Sequence, residues 1–203
     1  MTHQSENGRQ ITAIALLFEG GLGLLALLVC LWLDRWPLPG VQFTADQWPV
    51  AGRAAAWGAV ATLPMLAAMW MLDRFPVGPL QQLKRDFERR IVPMFAGCTV
   101  TELLLISIFA GIGEELLFRG LIQAGVADWL GGPAGPWIAL AAASLVFGLA
   151  HMISVTYAVI AALIGAYLGL LLIVTDNVLV PMVAHGLYDF VALIYLVRDA
   201  RRT

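Results

Sequence analysis

A succession of long apolar runs restricts this chain more than any single motif in it. The first, Ile11 to Leu33, is long enough to cross ~30 Å of hydrocarbon as a helix. Others cover about Ala54 to Leu72, Phe95 onward through the next thirty or so residues, Trp137 to about Met152, about Tyr157 to Thr175, and Val178 to Val197. Only 13% of residues are charged, about half the ~25% of soluble domains, and 60% are hydrophobic. The expectation is therefore an all-α, polytopic membrane helix bundle. It has about six transmembrane helices in two regions, residues 1–93 and 94–203.

The segments between the runs agree with this. Residues 1–10 read as a polar, frayed tail that includes His3, and no cleavable signal peptide is expected. Asp34 to Gly52 is a loop with three prolines, and its Trp36 and Trp48 suit an interfacial position. Pro64 should kink the second helix. Leu80, Leu83 and Phe87 share one helical face, with Lys84, Arg85, Arg89 and Arg90 elsewhere on the wheel. That pattern predicts a short amphipathic helix on an anionic membrane face. The glycine- and proline-rich 131–136 segment is a break, and Gly165 and Gly169 permit close helix approach. Cys30 and Cys98 read as small packing residues. With six spans, nine lysines and arginines fall on one side and two on the other, leaving out Arg119, so both termini are expected in the cytoplasm. A net charge of −2 and the lack of a basic, aromatic-interleaved patch give no support for a nucleic-acid partner.

Against this apolar background Glu114, Glu115 and Arg119 demand a reason. A charge at bilayer depth costs at least ~2.5–3.5 kcal/mol by insertion scales. Glu115 and Arg119 are four apart, acid first, which is the favourable order on a helix. Glu114 lies ~100° round the wheel and stays available. His151, and His185 with Asp189 four residues on, add polar groups to two further apolar runs. Each must find a partner inside the bundle, so one shared polar site is expected. Glu19 interrupts the first run beside three glycines, and it either lines this cavity or is satisfied by a neighbouring helix.

Such a site can work in three ways. Glu114, His151, His185 and Asp189 can hold zinc, whose ligands are nitrogen and oxygen. Alternatively a carboxylate oriented by histidine activates water directly, and the remaining histidine faces the oxyanion. The non-enzymatic reading is a proton or ion pathway. Neither a G-x-S-x-G nor an H-E-x-x-H is present, which speaks against serine-type covalent catalysis and that zinc motif.

The runs E-E-L-L-F-R (Glu114–Arg119), F-G-L-A-H (Phe147–His151) and H-G-L-Y-D (His185–Asp189) resemble, in order and spacing, three motifs of one family. It is the CAAX protease and bacteriocin-processing family of intramembrane proteases, and the likeness covers about residues 95–197. The resemblance implies an intramembrane endopeptidase acting near a membrane-anchored terminus of its substrate. By that match Glu114 activates water with help from His151, while Glu115, Arg119 and Phe147 support the site. His185 and position 189 stabilise the oxyanion. Asp189 stands where eukaryotic members have asparagine, so it is either protonated or orients His185. The resemblance also implies no cofactor, with zinc the alternative, and location in a bacterial inner membrane. A small ion-coupled carrier and a non-catalytic immunity or scaffold protein are the competing functions.

Overall fold

The computed structural model describes the backbone of residues 3–200 and the side chains of residues 6–198. Every regular element among them is helical. Helix α1 (His3–Trp32) is followed by a 3-10 turn (Ala45–Gln47) that leads into α2 (Trp48–Arg74). Then come α3 (Pro79–Asp86), a π turn (Phe87–Ile91) and α4 (Val92–Phe95). Helix α5 (Val100–Glu115) passes through a π-helical segment (Leu116–Gln123) into α6 (Ala124–Leu130). The chain ends with α7 (Gly135–Ala150), α8 (Val155–Thr175) and α9 (Leu179–Ala200).

Four helices are by themselves long and apolar enough to cross a membrane, namely Glu6–Trp32, the segment Ala45–Arg74, Val155–Thr175 and Leu179–Arg198. The helix from Val100 to Leu130 makes a fifth when taken with the preceding Pro79–Phe95 segment, from which it bends by 110°. Its own charges, the site carboxylates among them, dilute its hydropathy. Helix α7 has 16 residues, ~24 Å, and is shorter than the hydrocarbon layer. Large apolar side chains along α1, such as Leu17, Phe18, Leu24, Leu28 and Leu31, face outward. Lipid is the solvent that suits such a surface.

Two boundaries differ from the sequence reading. The polar start is helical from His3 onward, and the His3 side chain lies outside the described residues. Gly8 sits directly on the Gly97 carbonyl, and Thr12 Oγ donates to the Gly8 carbonyl at 2.9 Å. That polar segment is thereby docked on the turn before α5. Helix α2 starts at Trp48 instead of Ala54, because Pro49 occupies the first turn, where its missing N–H costs nothing. Pro64 sits inside α2, which continues past it to Arg74.

Helix α5 carries the Glu-Glu pair, and its start is set by a capping box. The Thr99 side chain accepts from the Glu102 N–H at 3.2 Å, while Glu102 accepts from the Thr99 N–H at 2.7 Å. Helix α1 packs along α5, and α9 packs on both α5 and α2. Small residues make these approaches possible. A methyl group at Gly23 would lie 3.2 Å from the Gly113 Cα, and one at Gly111 would lie 2.8 Å from the Met182 carbonyl. At Gly113 a methyl group would collide with the Glu19 carbonyl. Gly113→Ala is therefore expected to cost on the order of 1–3 kcal/mol by overpacking. The test is the melting temperature in detergent; an unchanged value would mean that α1 yields freely.

Candidate active site

Three motifs meet because α5 packs on α9 while the π-helical segment that continues α5 packs on α7. Helix α7 ends at Ala150 and the chain turns at His151–Ser154, while α9 runs on past Asp189 to Ala200. In a regular up-and-down bundle the end of α7 and the start of α9 would lie at opposite faces. Here α7 stops at Ala150, and Phe147 in its last turn packs against His185 of α9, which brings that end to the polar residues. Phe147 documents the meeting: its ring centroid lies 4.4 Å from that of His151, stacked, and 5.9 Å from that of His185, edge on.

The π segment Leu116–Gln123 opens immediately after Glu115. A π turn accommodates an extra residue and re-aims the side chains that follow, and such turns recur at functional sites. Arg119 lies within it and is 1% exposed. Its Nε stands 3.0 Å from Glu115 Oε2, and its Nη2 donates to the Gly165 carbonyl at 2.7 Å. The guanidinium also lies over the Phe147 ring, 5.0 Å from its centroid. Gly165 leaves room for this, since a methyl group there would be 3.3 Å from the Phe147 ring. The second glycine of the pair, Gly169, faces Gln123, whose Nε2 donates to the Gly169 carbonyl at 2.9 Å.

Glu115 does more than hold Arg119. Its Oε1 lies 2.8 Å from His185 Nδ1, so one carboxylate ties α9 to the arginine of the π segment. Sequence spacing carries no trace of this link, because the partners are 70 positions apart. Glu115, Arg119 and His185 are all buried and form a sealed set.

A second set is more open. His151 Nδ1 lies 2.9 Å from the Phe147 carbonyl, which only accepts, so Nδ1 carries a hydrogen. Nε2 is thereby directed to Glu114 Oε2, 3.6 Å away. That separation exceeds a direct hydrogen bond. Asp189 Oδ2 lies 3.5 Å from His185 Nε2. The side chains of His151 and Asp189 are 26% and 29% exposed, against 9% for Glu114 and 0% for Glu115. Glu114 therefore lies where the sealed set meets the more open side chains, and an incoming polar molecule meets it beside His151.

All seven residues singled out in the sequence lie in this region, joined as Arg119–Glu115–His185–Asp189 and Glu114–His151 with Phe147 packed between them. The zinc alternative fits this geometry poorly. Among the described residues no group of three or more His, Cys, Asp or Glu side chains is arranged to hold a metal ion. One nitrogen of His185 already faces Glu115, and the remaining donors stand as two pairs.

Residues 96–191 match the family model described as Type II CAAX prenyl endopeptidase Rce1-like, a stretch that contains all three motifs. No curated protein and no solved structure matches the chain.

Proposed function

Over residues 96–191 this chain belongs to the Type II CAAX prenyl endopeptidase Rce1-like family, and from that premise we propose that it is an intramembrane endopeptidase using glutamate-activated water. Its substrate is a protein or peptide cut near a membrane-anchored terminus. The observation that carries this reading is the division of labour between two adjacent carboxylates. Glu115 is committed to Arg119 and His185, while among the described residues Glu114 has a single partner at ion-pair distance, His151 at 3.6 Å.

Glu114 accepts a proton from water as the oxygen adds to the scissile carbonyl carbon. His151, oriented by the Phe147 carbonyl, steers that water and shares the proton through Nε2. His185 is held from behind by Glu115, 2.8 Å from its Nδ1, and acts in this mechanism with a proton on each ring nitrogen. Its Nε2–H then stabilises the oxyanion, and Asp189 aligns the ring at 3.5 Å. This gives Asp189 an orienting role, which needs no neutral carboxyl at that position.

We place the chain in a bacterial inner membrane with both termini cytoplasmic, following the distribution of lysine and arginine. The test compares the termini of membrane proteins in cells holding the wild-type chain with those in cells holding Glu114→Gln. New termini that depend on Glu114 are expected, and their absence would sink the reading. Cleavage by the purified protein should survive exhaustive chelation. Full loss with recovery on stoichiometric zinc would instead make Glu114 a metal ligand.

A further inference from the structure

Water activation at Glu114 leaves one proton unassigned, the one that the departing amine nitrogen must receive. Glu19 on α1 is placed to supply it. Its backbone carbonyl lies on Gly113, the residue before Glu114, where any side chain would collide with it. Its Oε2 is sealed from solvent and has no hydrogen-bond partner among the described residues. Glu114 of α5, Asp189 and His185 of α9, and His151 just after α7 lie within electrostatic range of it.

Charge accounting singles this carboxyl out. Glu115 contacts Arg119 and His185, Glu114 contacts His151, and Asp189 contacts His185. Among the described residues no base stands at ion-pair distance from Glu19. Glu19, Glu114, Glu115 and Asp189 thus face only Arg119, His151 and His185. Even with every base charged, one acid must keep its proton for the cluster to be neutral. Glu19 is the one of the four with no base at ion-pair distance among the described residues, and one of its oxygens is shut off from solvent, so it is the acid that keeps the proton.

We propose that Glu19 is the general acid of the reaction, a neutral carboxyl that protonates the leaving amine while Glu114 serves as the base. The step rests on the function proposed above and balances without a further reactant. Glu114 takes one proton from water, and the remaining hydroxide adds to the carbonyl carbon. The C–N bond then breaks, its electron pair goes to nitrogen, and nitrogen takes the proton of Glu19. The proton on Glu114 passes back to Glu19, which resets both groups and releases a carboxylic acid and an amine.

The experiment uses the full chain in liposomes and a lipid-anchored, internally quenched peptide with the sequence of a site found by the terminus comparison. A second probe carries the same acyl side with a 4-nitrophenyl ester at the scissile position, whose leaving group departs without a proton. Glu19→Gln should slow peptide cleavage by roughly 10²-fold or more at unchanged KM, yet cleave the ester within about threefold of wild type. Glu114→Gln should lose both activities. Wild-type peptide cleavage by Glu19→Gln, or equal losses on both probes, would overturn the acid role. A fully active Glu114→Gln would instead overturn the function proposed above. A reading without substrate is also available from infrared spectra at neutral pH. The C=O band of a protonated carboxylic acid should be present in the wild type and vanish in Glu19→Gln, and its persistence in Glu19→Gln would also refute the proposal.

Discussion

Glu114→Gln is expected to lower peptide-bond cleavage by roughly 10²–10⁴-fold, the range lost with a general base, while leaving the fold intact. The amide matches the carboxylate in size and removes only its basicity. The packing around position 114 depends little on charge, because among the described residues the one base at ion-pair distance from Glu114 is His151, at 3.6 Å. The ties that hold helices together at this level belong to Glu115. Turnover and the detergent melting temperature should therefore separate, the first collapsing and the second staying within a few degrees of wild type. Substantial activity in the glutamine variant would remove Glu114 from the role of base. A parallel fall in both quantities would mean that Glu114 is structural.

Arg119→Ala should do the opposite first and the same second. Removing one partner of a buried ion pair typically costs ~3–5 kcal/mol, because the other charge is left without compensation. Here Glu115 would keep His185 at 2.8 Å but lose its only permanently charged partner. The Gly165 carbonyl would lose its donor, and the Phe147 ring would lose the guanidinium lying over it. The expected result is a lower melting temperature in detergent and a lower level in the membrane, with activity lost as His185 shifts. Lysine should rescue poorly, since it lacks the planar fork that serves Glu115 and Gly165 together. The double variant Arg119→Ala with Glu115→Gln should regain part of the stability, because no uncompensated carboxylate is then buried. If Arg119→Ala alone has wild-type stability, the cost assigned to an unpaired Glu115 is wrong.

Much of the protein was legible because its signals are local. Runs of apolar residues on the scale of the bilayer name the helices, since lipid forces each span to satisfy its own backbone. The break at 131–136 follows from glycine and proline chemistry. Glu115 and Arg119 show their partnership through four-residue spacing, and His185 and Asp189 do the same. Polar residues stranded in separate apolar runs announce a common site, because they are too costly to leave apart.

Tertiary structure decided what depends on pairing across the chain. The docking of the polar residues before Ile11 on Gly97 and Cys98 could not be read from their polarity. Neither could the π segment, since no residue type is reserved for an extra residue in a turn. The run from Trp137 to about Met152 is legible as a helix, but only packing shows that its end lies against His185, through Phe147. Glu115 was legible as the partner of Arg119, but its second oxygen reaches His185 only because α5 and α9 touch through Gly111 and Gly186. Glu19 had two equal readings in the sequence. Gly113 lets α1 come close enough to bring it to the site, and that steric fact belongs to the contact between two helices rather than to either one alone.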